Sequence, residues 1–174
     1  VVVVCLLIAA LTHYLFGGIR LHTQDRVEKV IPAAKVHLSV LMGLFVLLKA
    51  VAYYLDRFGL AFSPRGKVTG ASYTDVHAVL PAKTILLFIS LLCAVLFIYN
   101  IRQRGWILPA LSFGILVISA LVIGGLYPTL IQYFSVRPNE AVKESPYIQR
   151  NITATRNAYG INKVDITSYP ASSN

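Results

Sequence analysis

The chain has 174 residues, of which 56% are hydrophobic and 13% are charged, and its mean hydropathy is +0.67. This composition excludes an ordinary soluble domain, in which about 25% of residues are charged. The formal net charge of +9 does not indicate nucleic-acid binding, because the basic residues lie in loops between apolar blocks, as they do beside membrane spans.

Four long apolar blocks follow one another along the chain. An α-helix needs roughly 20 apolar residues to cross a bilayer core about 30 Å thick. Polar backbone groups in lipid must pair within their segment, and these runs do not alternate as barrel strands do, so the blocks predict helices. The predicted spans are residues 1–19, 36–55, 79–99 and 106–127. The sequence thus predicts an all-α, polytopic membrane protein whose residues 1–127 form a transmembrane bundle.

The first block is already under way at Val1, without an initiator methionine, and the chain ends in the polar string SYPASSN. We interpret the chain as an interior stretch of a larger integral membrane protein. Pro128 follows the fourth block and has no backbone N–H with which to continue a helix, so we expect the last span to stop there. Residues 128–174 are then predicted to begin a region outside the membrane.

The basic residues between the blocks predict the orientation of the bundle. Links 20–35 and 100–105 carry Lys and Arg at a higher density than link 56–78. Positively charged loops are retained on the cytoplasmic side of a membrane. We therefore expect links 20–35 and 100–105 to be cytoplasmic, and link 56–78 and the tail from Pro128 to be extracytoplasmic.

One amphipathic helix is predicted in the tail, over residues 146–159. Ser145 followed by Pro146 is typical of a helix start, and Gly160 is typical of a helix end. Side chains at spacings of four, three and four share one helix face. That face is formed by Ile148, Ile152, Thr155 and Tyr159.

The tail helix has two interpretations. In the first, its apolar face packs on the membrane-proximal surface or on a downstream domain. In the second, Arg150 and Arg156 contact lipid headgroups, because the planar guanidinium group suits phosphate. The sequence leaves both interpretations open.

Two ionisable residues within the spans are candidates for an intramembrane polar site. Lys49 lies about two-thirds of the way through the second span, where a charge costs roughly 3 kcal/mol on insertion scales. Either its long side chain extends towards headgroup level near Asp56, or it faces the bundle and lines a polar pathway. His13, near the cytoplasmic end of the first span, is either an interfacial histidine or a proton relay.

The fourth span carries small residues on one face. Ala110, Gly114 and Gly125 share that face because eleven residues make almost three helical turns. Small residues allow helices to approach closely in membranes. We expect this face to pack against another span.

The sequence contains no catalytic or metal-binding pattern. A P-loop, a GxSxG turn, paired acid–base carboxylates and clusters of Cys and His at metal-ligand spacing are all absent. Cys5 and Cys93 lie singly in apolar blocks, where packing is the expected role of a cysteine. The sequence predicts a protein that is not an enzyme, with no catalytic residues, no metal and no cofactor.

Several stretches resemble a known bacterial family. They are THYLFGGIRL, LLKAVAYYLDRFGL, TGASYTDVHAVLPAK and VRPNEAVKESPYIQRNITATRNAYGI. With this spacing, the chain is similar to uncharacterised protein family 0182 from residue 11 to about residue 162. The resemblance implies a large, typically actinobacterial protein with seven spans in the plasma membrane and a large extracytoplasmic region. By that comparison the chain covers the last four spans and carries no assigned catalytic residues.

Two functions are compatible with these features of the sequence. The first is a non-enzymatic anchor or scaffold subunit that serves the cell envelope or a membrane protein complex. The alternative is a transporter or channel component that uses Lys49. In either case we expect the partners to be the lipid bilayer and other proteins or further copies of the chain, and not nucleic acid.

Overall fold

The computed structural model describes residues 1–19, 30–102, 107–164 and 167–168. Its α-helices are α1 (Val2–Leu15), α2 (Pro32–Gly59), α3 (Leu80–Asn100), α4 (Ile107–Leu121), α5 (Tyr127–Leu130) and α6 (Glu140–Ala158). Wider π-helical turns cover Asp75–Val79, Val122–Leu126 and Ile131–Val136, and tighter 3₁₀ turns cover Leu60–Phe62, Arg137–Asn139 and Ile161–Lys163. Within the described ranges the only β pairing is an isolated bridge between Ile19 and Val30.

The predicted all-α membrane fold is confirmed. Three helical stretches, Pro32–Phe62, Asp75–Asn100 and Ile107–Ala158, are long and apolar enough to cross a membrane. The first block forms a shorter apolar helix, Val2–Leu15. It ends before the predicted residue 19 because Gly17 adopts a φ of 73°, a left-handed conformation that a helix cannot continue through.

Helix α3 lies between α2 and α4, and α1 packs on α2. The core cluster joins side chains from α2, α3 and α4: Val46, Cys93, Ala94, Phe97 and Leu116. Cys93 is buried there, and its thiol donates a hydrogen bond to the Ser112 carbonyl oxygen at 3.3 Å. The packing role expected for this cysteine is therefore what the structure shows.

The fourth helix does not stop at Pro128. Helical residues run from Ile107 to Ala158, and α5 includes Pro128 within its first turn. A proline removes one hydrogen bond and crowds the carbonyl four residues earlier. Three separate π-helical turns each include the residue four positions before a proline and end two residues before it. The three prolines are Pro81, Pro128 and Pro138. The wider turn accommodates the ring, so the helix continues.

The predicted start of the tail helix is also wrong. Helix α6 begins at Glu140 and contains Pro146 in its interior. The turn before Pro146 is held in place by contacts of Lys143 and Glu144 with the loop before α3. These contacts act against the roughly 3 kcal/mol that an interior proline costs. The predicted end is correct, because Gly160 has a φ of 68° and α6 ends at Ala158.

The expected small-residue packing face is wrong for the described part of the chain. The buried residues of α4 are Pro109, Ser112 and Leu116, on a neighbouring face. A Cβ built on Gly114 or Gly125 would meet nothing within 4 Å, whereas one on Gly124 would meet Leu86 Cδ1 at 3.0 Å. The π turn at Val122–Leu126 adds a residue to the helical repeat, so a face extrapolated from residue 110 no longer points the same way at residue 125.

Candidate functional site

Residues 63–77 connect α2 to α3 and include the first helical turns that lead into α3. They contact the beginning of α6 at one end of the bundle, and this contact region is called the junction below. Its centre is Glu144, which is only 3% exposed. The Tyr73 backbone N–H donates to both carboxylate oxygens of Glu144, at 3.2 and 3.4 Å. A charged acceptor of a buried backbone N–H forms one of the stronger classes of hydrogen bond in proteins.

Lys143 extends the junction on the neighbouring side of α6. Its ammonium group lies 4.4 Å from the centre of the Tyr73 ring. It also donates to the Tyr73 hydroxyl at 3.2 Å and to Ser135 Oγ at 2.8 Å. A cation placed over an aromatic face is attracted by the ring, so Tyr73 binds α6 through its backbone, its ring and its hydroxyl.

Further contacts surround this centre. The Tyr73 ring stacks on the His77 ring at 4.1 Å and meets the Tyr147 ring edge-on at 6.4 Å. Asn151 Nδ2 donates to the Thr69 carbonyl at 3.1 Å, and Thr74 hydrogen-bonds Gln132. These contacts place link 56–78 and the tail at the same end of the bundle, as predicted from loop charge; the side of the membrane on which they lie remains a prediction.

Glu144 has an altered proton affinity. Burial raises the pKa of the Glu144 carboxyl above its ordinary value, and the nearby charges of Asp75 and Glu140 act in the same direction. The hydrogen bond from the Tyr73 backbone opposes the shift. The carboxyl is thus held in a place where its charge is costly and is only partly compensated.

Asp75 is a second buried carboxylate, with its side chain 1% exposed. Its Oδ2 accepts from the backbone N–H of Ser72 at 3.1 Å and from the Ser72 hydroxyl at 2.8 Å. The Asp75 N–H is directed back at Ser72 Oγ, at 3.3 Å. This reciprocal pattern is a capping box, and it starts the helical run that leads into α3.

Arg65 pairs with Asp75 from the loop side. Its Nε lies 3.2 Å from Asp75 Oδ1, yet the two atoms are not aligned as a hydrogen bond, and that oxygen has no other donor among the described residues. At this distance the contact is an ion pair. It leaves the terminal nitrogens of Arg65, whose side chain is 39% exposed, with no partner in the described part of the chain.

A cavity of about 580 Å³ lies between the end of α2, the beginning of α3 and the π turn that follows α4. Two ion pairs line it: Arg65 with Asp75, and Lys83 with Asp56, whose Nζ and Oδ2 are 2.7 Å apart. The remaining wall is mostly apolar or without side chains, including Val79, Leu86, Gly124 and Gly125. The cavity is therefore polar at its loop end and apolar where it follows the helices.

Lys49 lies beside this region but does not line the cavity. Its Nζ is 4.9 Å from the centre of the Tyr53 ring, and Tyr53 is a lining residue. No acidic side chain of the described residues lies within ion-pair distance of Lys49. The ammonium group thus lies over Tyr53, one turn along α2 towards Asp56, and a polar pathway that uses Lys49 remains a prediction.

The structure separates His13 from Lys49. His13 Nε2 lies 3.0 Å from His37 Nδ1, and the two rings meet edge-on at 5.3 Å. His37 and Lys49 are twelve residues apart on α2, which corresponds to about 18 Å along the helix axis. The two candidates therefore do not form one polar site, and His13 pairs instead with a histidine whose contact the sequence did not reveal.

The two candidate headgroup residues are exposed on α6. The Arg150 guanidinium lies 5.3 Å from the centre of the Tyr147 ring, and Arg156 is exposed in the last turn. Their contact with a lipid surface remains a prediction.

Sequence reasoning missed the roles of Asp75, Glu144 and the Asp56–Lys83 pair. Asp75 could have been found, because Ser72-Tyr73-Thr74-Asp75 matches the capping-box pattern before an apolar run. Glu144 could not, because its partner Tyr73 lies 71 residues away. Among the described residues no group of three or more His, Cys, Asp or Glu side chains is placed to hold a metal ion.

The chain is similar to a group of longer bacterial proteins. A family model described as uncharacterised protein family UPF0182 matches residues 1–174. The chain is 70% identical to a UPF0182 protein of Frankia alni over 98% of its own length and 16% of the relative. It is 53% identical to one of Thermobifida fusca, over 98% of the chain and 16% of the relative. For one of Streptomyces coelicolor the identity is 50%, over 99% of the chain and 18% of the relative. The chain thus spans less than a fifth of their length, and no solved structure matches it.

Proposed function

Because the chain belongs to the uncharacterised protein family UPF0182, we propose that it acts as a non-enzymatic membrane anchor and scaffold within a longer protein. In this proposal it lies in the bacterial plasma membrane and serves the cell envelope or a membrane protein complex. Its long apolar helices supply the anchor. Its tail would connect that anchor to a further region of the longer protein, of which the chain covers less than a fifth in its relatives.

The junction is the observation that supports this role. An anchor that only tethers needs no fixed contact between the membrane bundle and the segment that leaves it. Here Glu144 and Lys143 bind α6 to Tyr73, a residue from a different part of the chain. Helix α6 also continues from the last apolar helix through a run of helical turns. This arrangement supports a scaffold that holds the following region at a defined position.

Affinity purification of the full-length protein tests the proposal. We expect a protein partner, or further copies of the protein, to co-purify in stoichiometric amount. Glu144→Ala removes the acceptor at the centre of the junction and should reduce that yield several-fold while the protein remains in the membrane fraction. Gln149→Ala on the exposed side of α6 is the matched control and should retain the partner. Purification of a protein with no stoichiometric companion would overturn the scaffold role.

Transport is the second candidate function, and the contact of Lys49 with a residue that lines the cavity supports it. The Lys49 ammonium contacts Tyr53, which lines the cavity that also contains Asp56 and Lys83. If these groups form a polar pathway, Lys49→Met should abolish solute or ion flux into proteoliposomes, and Lys49→Arg should preserve it. Equal flux with both variants, or none with the unmodified protein, would exclude this function.

A further inference from the structure

We propose that the cavity between α2, α3 and α4 binds a membrane phospholipid whose headgroup carries both a phosphate and a primary ammonium group. This inference is independent of the scaffold role, since a scaffold does not need a bound lipid and a lipid site does not need a protein partner. It rests on the charges, the shape and the position of the cavity.

The charged side chains that line the cavity balance one another and leave some polar atoms available to a ligand. Arg65 and Lys83 supply two positive groups, and Asp56 and Asp75 supply two negative ones, so the four residues sum to zero. Arg65 uses Nε for Asp75, which leaves its planar pair of terminal nitrogens for a phosphate. Asp56 uses Oδ2 for Lys83 and is 53% exposed, which leaves Oδ1 as an acceptor for an ammonium group. A zwitterionic headgroup matches both signs, and a purely anionic one matches only the positive groups.

The apolar wall suits an acyl chain. From the charged end at Lys83, the cavity continues along α3 to Leu86, one helical turn further into the span, and to the glycines of the π turn. Its volume of about 580 Å³ lies within the range of roughly 300–1,000 Å³ in which small-molecule sites are found. An amphiphile would therefore place its headgroup at the loop end and its chain between the helices.

Gly125 provides a direct way to block the site. It lines the cavity, and a Cβ built on it would meet nothing within 4 Å. Gly125→Leu would place a side chain where the lipid is expected without a clash with the protein. Gly114→Leu is the matched control, since Gly114 lies on the same helical stretch, is equally open and is not a lining residue.

A second pair of variants tests the charges. Lys83→Gln removes one of the two positive groups and leaves no buried charge unpaired, because Asp56 is largely exposed. Lys67→Gln is its control: Lys67 pairs with Glu140 at 3.4 Å, is 63% exposed and lies outside the cavity. Melting of all four variants in detergent verifies that each is folded.

Native mass spectrometry of the detergent-purified protein provides the readout. The protein is incubated with equal amounts of phosphatidylethanolamine and phosphatidylglycerol that carry identical acyl chains. We expect phosphatidylethanolamine to be bound in preference, and Gly125→Leu and Lys83→Gln to weaken it by about tenfold, which corresponds to 1.4 kcal/mol. The two control variants should bind as the unmodified protein does.

Three results would overturn the inference. They are equal or preferential binding of phosphatidylglycerol, unchanged binding by folded Gly125→Leu protein, and competition by inorganic phosphate at the concentration of the lipid. The last result would assign the site to free phosphate, because it would show that the acyl chain adds nothing to the affinity.

Discussion

Glu144 is a buried carboxylate that accepts from the Tyr73 backbone N–H while two further acidic groups, Asp75 and Glu140, lie nearby. Its pKa is raised in the folded protein, so the folded state binds more protons than the unfolded state between the ordinary value of 4.5 and the raised one. Under linkage, the free energy of unfolding therefore falls as the pH rises through that window. Glu144 contributes most to stability when it is protonated.

Glu144→Gln tests this directly. The glutamine retains a carbonyl oxygen for the Tyr73 N–H and carries no charge, so we expect melting above the window to be unchanged or raised. The difference in melting temperature between the two proteins should vanish as the pH is lowered towards the ordinary Glu range. Thermal melts in detergent at several pH values measure this difference, with Gln149→Ala on the exposed side of α6 as the control. A variant that is less stable at neutral pH and equally stable at low pH would show that the carboxylate is instead stabilising.

Helices α2 and α3 approach closely at Gly43, which is buried in the middle of α2. A Cβ there would lie 3.6 Å from Phe97 Cβ and 3.9 Å from Ile98 Cγ1, which is normal contact for a methyl group and leaves no space for more. We expect Gly43→Leu to separate the helices and to destabilise the bundle by about 1–3 kcal/mol, as overpacking does. Gly59→Leu, at the open end of the same helix, should melt as the unmodified protein does. Equal melting of the two variants would contradict this close packing of α2 on α3.

At the level of elements, the sequence was a good guide to which segments are helical and a poor guide to where they end. Apolar length predicts a membrane helix because lipid leaves the backbone no alternative partner. The continuation through Pro128 depends on a π turn, and the start of α6 depends on contacts with Tyr73. A rule that ends a helix at proline does not allow for the π turn, and the contacts of α6 involve a residue 71 positions away, so local rules on proline gave the wrong boundary in both places.

Across the whole molecule, pairings between distant residues were the part that the sequence could not supply. The sequence makes Lys49 a candidate site residue because a charged side chain within a span is costly in lipid. Its contact with Tyr53 is local, within the same helix. His13 with His37, Asp56 with Lys83 and Tyr73 with Glu144 join residues 24, 27 and 71 positions apart. A single sequence gives no signal for such pairs, because each residue type is common where it stands. The candidate site therefore became visible only when α6 was placed against the loop before α3.

The junction and the continuous helical stretch together predict a fixed position for α6 relative to the bundle. Spin labels on Ala61 and Ala154, both exposed, report this position in a full-length protein whose exposed Cys5 is replaced by serine. We expect a narrow distance distribution, because the contacts of Tyr73 with Lys143 and Glu144 restrain rotation of α6 about the turns near Pro138. Glu144→Ala should broaden the distribution, and Arg156→Ala, near the other end of α6, should leave it narrow.

If all three proteins give equally narrow distributions, the helical stretch alone holds α6, and the junction has another role. If the unmodified protein already gives a broad one, the bundle does not position the region that follows it, and the scaffold role loses its structural basis.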